Sequence, residues 1–356
     1  MISLHSDQKL VSLKRFDEYT CRMVIERLRD DVKRIVIIPH VNPDGDAIGS
    51  SIGLNDVLNN AGYTSVVIVP NDFPSYLNSL GTEAAPLIYE QRFSQCQKLI
   101  DQSDMLFFLD FNDSKRLGKV EEYLRGASKP VVLIDHHPDP EIKADYMFSD
   151  TNVSSTAELV YDFIEAIGML DHITPNGANA LLTGIIADTG SFSHNSSRPD
   201  MYRIVGELIN KGADKEKINE DLYNNFSEKR MRLLGYCLSE KMEIYQPYRT
   251  ALIWLTAEEL KRFDFSPGDT EGFVNFPLSI KGIVFTAFFM EKNDYIKMSF
   301  RSKGSFSTNE FSNAHFNGGG HTNASGGEIK LPMQEAISFF RSLLPQYAEK
   351  FGKNNY

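Results

Sequence analysis

The amino-acid sequence predicts an α/β protein, with a parallel-sheet domain in its N-terminal half and a second, smaller α/β domain in its C-terminal part. Three observations carry that expectation. Short, wholly apolar runs alternate with helical patterns through the first 190 residues, the order expected of β-α-β units. Those runs lack polar alternation, which suits strands buried on both faces of a parallel sheet. After Gly190 the chain becomes polar and turn-rich, and β-rich runs resume only beyond about residue 240. A length of 356 residues agrees with two domains at roughly 150 residues each. The expected division is 15–190, a helical linker over 191–240, and 241–350.

The elements follow in order. An amphipathic helix over residues 16–29 leads into a buried strand, Arg34-Ile35-Val36-Ile37-Ile38. A helix over 47–60 places Ile48, Ile52, Val57 and Leu58 on one side, with Gly62 near its end. Residues 64–69 read as a strand closed by Pro70-Asn71, and 105–109 and 131–134 as two more. Helices are expected over 157–167 and 178–187. Pro199 is placed to open a further helix after the polar stretch 191–200, and helical patterns run on to Leu238. Runs at 251–255, 282–290 and 295–301, with a last one near 327–329, suit a second sheet, and 333–349 a terminal helix.

Composition narrows the function. Hydrophobic residues are 42% and charged residues 24%, the make-up of a packed globular protein. Lys plus Arg number 37 against 48 Asp plus Glu, a formal charge of −11. Such a chain gains no general attraction to a polyanion, which argues against coating long nucleic acid while leaving room for a small anionic substrate. Cys21, Cys96 and Cys237 form no metal-type spacing and suit a reducing compartment. The first residues lack a basic stretch followed by an apolar one, and no run approaches the ~20 residues of a spanning helix, so the expected location is cytoplasmic.

The chemistry lies where His and Asp fall relative to the strands. The first strand delivers His40, then Asn42-Pro43-Asp44-Gly45-Asp46; run 105–109 delivers Asp110; run 131–134 delivers Asp135-His136-His137. Ligands of open α/β sheets gather outside the carboxyl ends of the strands, so three strands present metal-ligand residue types at one edge. Asp188 closes a helix expected to pack nearby. Singly, His40 reads as a core histidine, Asp44 or Asp46 as a helix N-cap, and Asp188 as a helix end. Together they count out as a two-metal site for Mn²⁺ or Mg²⁺, with no thiolate to suggest structural zinc. So many carboxylates at one place would repel one another without cations. A pair of divalent ions suits in-line displacement at phosphorus.

His40 to Ser50, the isolated Asp110, Asp135-His136-His137 and Asp188 resemble the four successive motifs of the DHH phosphoesterases. The run Phe316-Asn317-Gly318-Gly319-Gly320-His321-Thr322-Asn323-Ala324-Ser325-Gly326 resembles the glycine-rich signature of the associated DHHA1 substrate domain. Asn317 departs from relatives that carry a further Gly there. The two-domain size is similar to the oligoribonuclease (nanoRNase) and 3′-phosphoadenosine 5′-phosphate (pAp) phosphatase branch.

The resemblance implies an N-terminal DHH domain, a C-terminal DHHA1 domain and an active site in the cleft between them. It implies that His40, Asp44 and Asp110 hold one metal and Asp46, Asp110, His136 and Asp188 the other, with Asp110 bridging and Mn²⁺ the preferred ion. Asp135 would orient a ligating imidazole, and His137 would contact the scissile phosphate or protonate the leaving oxygen. Gly318, Gly319 and Gly320 would let backbone N–H groups approach an anion, flanked by His321, Arg301 and Ser302, with Lys297 and Lys303 adding local basicity. The implied substrates are short oligoribonucleotides, giving nucleoside 5′-monophosphates, and pAp, giving AMP; no membrane and no long duplex is involved, and a homodimer is admitted. The rival readings are hydrolysis of a cyclic dinucleotide, pyrophosphate or polyphosphate, and a nucleotide-binding regulator without catalysis.

Overall fold

A computed structural model describes residues 15–81, 85–125 and 129–352; the reading of the first residues as free of a targeting signal lies outside them. The described chain divides into two units, one ending at Asn225 and one beginning at Phe226. Helices Pro199–Asn210 and Lys215–Asn219 fall in the first unit and helix Glu228–Glu240 in the second. Among the described residues no helix is long and apolar enough to cross a membrane.

The first unit is built on a six-stranded sheet: β1 (Arg34–Pro39), β2 (Thr64–Val69), β3 (Leu87–Ile88), β4 (Met105–Leu109), β5 (Val131–Asp135) and β6 (Tyr146–Ser149). The order is β3-β2-β1-β4-β5-β6 and every pairing is parallel. Alternate residues of β1 face different cores: Ile35 and Ile37 join one apolar cluster, Val36 and Ile38 another. This is why the strand reads as a continuous apolar run. Strands β3 and β6 escape the sequence reading, being short and lying at the sheet edges. After β1 the chain winds outward through β2 and β3, then returns to lay β4 on the other flank of β1. The order reverses between β1 and β4, the switch point at which open α/β sheets bind ligands.

Two helices of this unit, Gly45–Asn60 and Pro175–Asp188, lie backbone against backbone. A Cβ on Gly49 would stand 2.5 Å from the Ala180 carbonyl oxygen and 2.7 Å from the Gly184 nitrogen. Glycine is therefore required at this crossing, and the close approach carries Asp46 and Asp188 into one site.

The second unit carries β7 (Met242–Tyr245), β8 (Thr250–Leu255), β9 (Phe285–Glu291), β10 (Ile296–Ser302), β11 (Gly319–His321) and β12 (Ala324–Ile329), in the order β11-β12-β10-β9-β8-β7. Only β8 and β9 pair in parallel. One face is a phenylalanine core of Phe285, Phe289, Phe300, Phe311, Phe316 and Phe340. The other packs Ile253, Leu255 and Phe288 against Leu233, Leu234 and Cys237 of helix Glu228–Glu240. The terminal helix is shorter than expected, Met333–Leu343, and tightens into a 3₁₀ turn over Leu344–Tyr347. Pro345 lacks the N–H that would continue the α-helical ladder.

Candidate metal centre

Each expected ligand is held by a local device. Asp44 is the N-cap of helix Gly45–Asn60, its Oδ1 accepting from the N–H groups of Asp46 at 3.0 Å and Ala47 at 3.1 Å. The same oxygen lies 4.0 Å from His40 Nε2, so capping and ligand placement coexist in one side chain. Asp110 leaves β4 with φ +68°, a left-handed conformation that is uncommon outside glycine. Its N–H donates to the Ile134 carbonyl at 3.1 Å. Asp135 ends β5, and Asp188 ends helix Pro175–Asp188.

The two oxygens of Asp110 face two imidazoles. Oδ2 lies 3.4 Å from His40 Nε2, and Oδ1 lies 3.5 Å from His136 Nε2. His136 Nε2 is also 3.5 Å from Asp188 Oδ2 and 3.9 Å from Asp46 Oδ2. Among the groups whose ligand atoms lie within 4.8 Å of one another are His40, Asp44 and Asp110; Asp46, His136 and Asp188; and Asp110, Asp135 and His137. The donors are carboxylate oxygens and imidazole nitrogens, a set that fits hard or borderline divalent cations. His40, Asp46, Asp110 and His136 are all buried, where unpaired charge is costly. The residues present therefore fit a pair of divalent ions.

The titratable groups of the cluster are shifted in opposite directions by burial and by one another. Burial, followed by the neighbouring Asp110, Asp188 and Asp44, drives the Asp46 carboxyl well above the usual range. For Asp110 burial works upward, but the hydrogen bond from His40 and the three nearby imidazoles win and lower it. Burial lowers His136, although Asp110 opposes the shift. Burial acts in the same sense on His137, yet the hydrogen bond to Asp135 and the charge of Asp110 outweigh it and raise that imidazole.

The imidazole that Asp135 orients is that of His137: Asp135 Oδ1 lies 2.7 Å from His137 Nδ1. The His137 Nε2 stands 3.1 Å from an Arg116 guanidinium nitrogen. Arg116 escaped sequence reasoning because nothing in Lys115-Arg116-Leu117 distinguishes it from a solvated charge.

A second missed group sits at the start of helix Thr156–Ala166. The Thr156 N–H donates to Asp46 Oδ2 at 2.6 Å and the Ala157 N–H to Asp46 Oδ1 at 2.9 Å. Asp46 thus caps the positive end of a helix other than its own. The Thr156 hydroxyl donates to Asp110 Oδ1 at 2.8 Å. The run Ser154-Ser155-Thr156 before an apolar stretch is a legible capping signal, but not one that names its distant partners.

In the second unit, Gly318 and Gly320 serve the chain's own packing. A Cβ on Gly318 would meet the Gly326 carbonyl oxygen at 2.0 Å, and one on Gly320 the Ala324 oxygen at 2.6 Å. Gly319 is the open member of the three, with only Asn309 Oδ1 at 3.8 Å. Gly319 and Gly320 lie in strand β11, paired to β12. Asn317 sits at the end of helix Thr308–Phe316 with φ +46°, a left-handed cap that Asn tolerates better than other side chains do. The Ser302 hydroxyl donates to Phe306 O at 2.6 Å and accepts from Asn323 Nδ2 at 2.7 Å. Arg301 closes on its own strand, one guanidinium nitrogen 2.9 Å from Phe300 O, and His321 ends β11.

A parallel sheet with carboxylates and imidazoles gathered at its switch point belongs to the class of metal-dependent phosphoester hydrolases. The family profile "DHH family, N-terminal domain" matches residues 34–185, and "DHHA1 domain" matches 252–350. The chain is a member of the DHH family and carries a DHHA1 domain. It is similar to the bifunctional oligoribonuclease and PAP phosphatase NrnA of Thermus thermophilus, 28% identical over 87% of this chain and 88% of the relative. The protein of the same name from Bacillus subtilis is 26% identical over 83% of this chain and 89% of its own. The crystal structure of an exopolyphosphatase-related protein from Bacteroides fragilis superposes with a TM-score of 0.90 at 40% identity, over 95% of this chain and 98% of that one.

Proposed function

We propose that this protein hydrolyses short oligoribonucleotides to nucleoside 5′-monophosphates and pAp to AMP, using two divalent cations. The observation that supports the reading best is Asp110, one of whose oxygens lies 3.4 Å from His40 Nε2 and the other 3.5 Å from His136 Nε2. The names of the NrnA relatives supply the substrate class. His40, Asp44 and Asp110 would hold one ion, and Asp46, Asp110, His136 and Asp188 the other. The resemblance to the DHH phosphoesterases favours manganese, and the ligand set admits magnesium as well.

Bound cations at such a site lower the pKa of water and offset charge on phosphorus. The protein's own residues supply the remainder. His137, fixed by Asp135 through Nδ1, would carry on Nε2 the proton for the leaving oxygen as the P–O bond breaks, which requires Arg116 to turn from Nε2 to the phosphate. Arg116, beside His137 Nε2, offers a fork of donors to the non-bridging phosphate oxygens. Arg301, the Gly319 backbone and His321 receive a terminal phosphate of the nucleotide, and Ser302 supports that strand end from within.

The test is a product-resolved assay presenting RNA dinucleotides to pentanucleotides, pAp, cyclic dinucleotides, pyrophosphate and polyphosphate, each with Mn²⁺ and with Mg²⁺. The expected outcome is nucleoside 5′-monophosphates from the short RNAs and AMP from pAp, abolished by Asp110→Ala. Turnover confined to pyrophosphate or polyphosphate would replace this reading with hydrolysis of phosphoanhydride bonds, the activity for which the Bacteroides fragilis relative is named.

A further inference from the structure

Thr156 is buried, and its side chain ends on Asp110, the residue at the middle of the centre. The terminal torsion of an aspartate is broad and roughly two-fold, so an unsupported carboxylate turns with little resistance. Here the Thr156 hydroxyl donates to Asp110 Oδ1 at 2.8 Å, the same oxygen that faces His136 Nε2 at 3.5 Å. A carboxylate oxygen has a second lone pair, so one hydroxyl bond fixes its plane while leaving a site for a cation. The threonine is itself anchored. Its N–H and that of Ala157 grip both oxygens of Asp46, and Ser155 caps the helix through the N–H of Glu158 at 3.1 Å. Two residues downstream, buried Glu158 accepts from Ser154 N–H at 2.9 Å and Oγ at 2.8 Å, and pairs with Arg198.

We propose that Thr156 is a positioning residue of the metal centre: its hydroxyl sets the plane of Asp110 so that one oxygen serves each cation, while its peptide N–H orients Asp46. The proposal rests on the two-cation reading of the site and adds a residue to it. Through its backbone and its side chain together, this one threonine ties a carboxylate of one cation set to the carboxylate shared by both.

The test is calorimetric titration of the full chain with Mn²⁺, comparing the native protein with Thr156→Val and Thr156→Ser. Valine keeps the shape and the N–H to Asp46 and removes only the hydroxyl. The expected result is two Mn²⁺ per native chain, with the affinity of at least one lowered about 10- to 100-fold in Thr156→Val, the usual cost of losing a ligand's supporting partner. Thr156→Ser is expected to restore it. Unchanged Mn²⁺ affinities in a folded Thr156→Val overturn the proposal while leaving the two-cation reading standing. A native protein that binds no Mn²⁺ overturns both. If the valine variant does not fold, Thr156→Ala against Thr156→Ser decides: equal affinities in those two overturn the role.

Discussion

Asp135 and His137 face each other across 2.7 Å, two residues apart at the exit of a central strand. The carboxylate fixes the ring through Nδ1, and Nε2 accepts from the Arg116 guanidinium at 3.1 Å. A carboxylate that orients an imidazole in this way serves an acid–base group and a metal-ligating one alike, and only a variant separates the two.

That pairing yields the first prediction. His137→Asn is expected to lower turnover by about 10²- to 10⁴-fold, the usual contribution of a positioned acid or base, with Mn²⁺ stoichiometry unchanged. Asp135→Asn should cost less, about 10- to 100-fold. Steady-state kinetics on a dinucleotide and on pAp, run beside a metal titration, check both. Loss of metal in His137→Asn would move this residue into the ligand set.

Removing metal should loosen the first unit. Asp46 is driven up by burial and by Asp110, Asp188 and Asp44, so the cation-free centre carries unfavourable charge. Mn²⁺ at 100 times its dissociation constant adds about 2.7 kcal/mol per site that binds only the folded state. For a unit of this size that is a rise of about 5–10 °C in melting temperature. Calorimetry with excess Mn²⁺ and with chelator measures it; identical melting curves would contradict a metal centre here.

Gly49→Ala tests the helix crossing. The added Cβ would stand 2.5 Å from the Ala180 oxygen, backbone that cannot swing away. Overpacking of this kind costs about 1–3 kcal/mol. Because the same crossing brings Asp46 to His136 and Asp188, Mn²⁺ affinity should fall together with the urea midpoint. A fall in stability alone would show that the site tolerates a shift between the helices.

The positions of the candidate ligands are legible because the apolar strands can be read and the residues after each one counted. His40, Asp110 and His136 all follow runs with no polar alternation. The partners of those ligands are not legible. Thr156 lies 46 residues from Asp110 and 110 from Asp46, and only the folded chain pairs them. The glycine run 318–320 was read for its ability to approach an anion. The same lack of Cβ serves the packing of β11 on β12, and composition cannot separate the two uses.

Glu259 governs part of the acid stability of the second unit. Burial acts upward on its carboxyl, but Lys241, the Thr256 N–H and the Tyr236 hydroxyl prevail and hold it below its ordinary 4.5. The contacts are 2.7 Å to Lys241 Nζ, 2.8 Å to Thr256 N and 2.6 Å to Tyr236 Oη. A carboxylate lowered in the folded state binds fewer protons there than in the unfolded one. Its stabilisation is present above the ordinary value and is lost as pH falls through the lowered one. Glu259→Gln keeps a side chain able to close the capping box and removes the charge. The difference in stability between native and variant should shrink as pH falls from roughly 5 to 3. Urea melts across that range check it; a difference constant with pH would assign the residue to capping alone.

The central claim is that Asp110 divides its oxygens between two cations. Anomalous diffraction at the manganese edge from crystals grown with Mn²⁺ tests it most directly. The account predicts two peaks flanking Asp110, one with Oδ2 and His40 and the other with Oδ1, His136 and Asp188. A single peak, or two with neither touching Asp110, would contradict it.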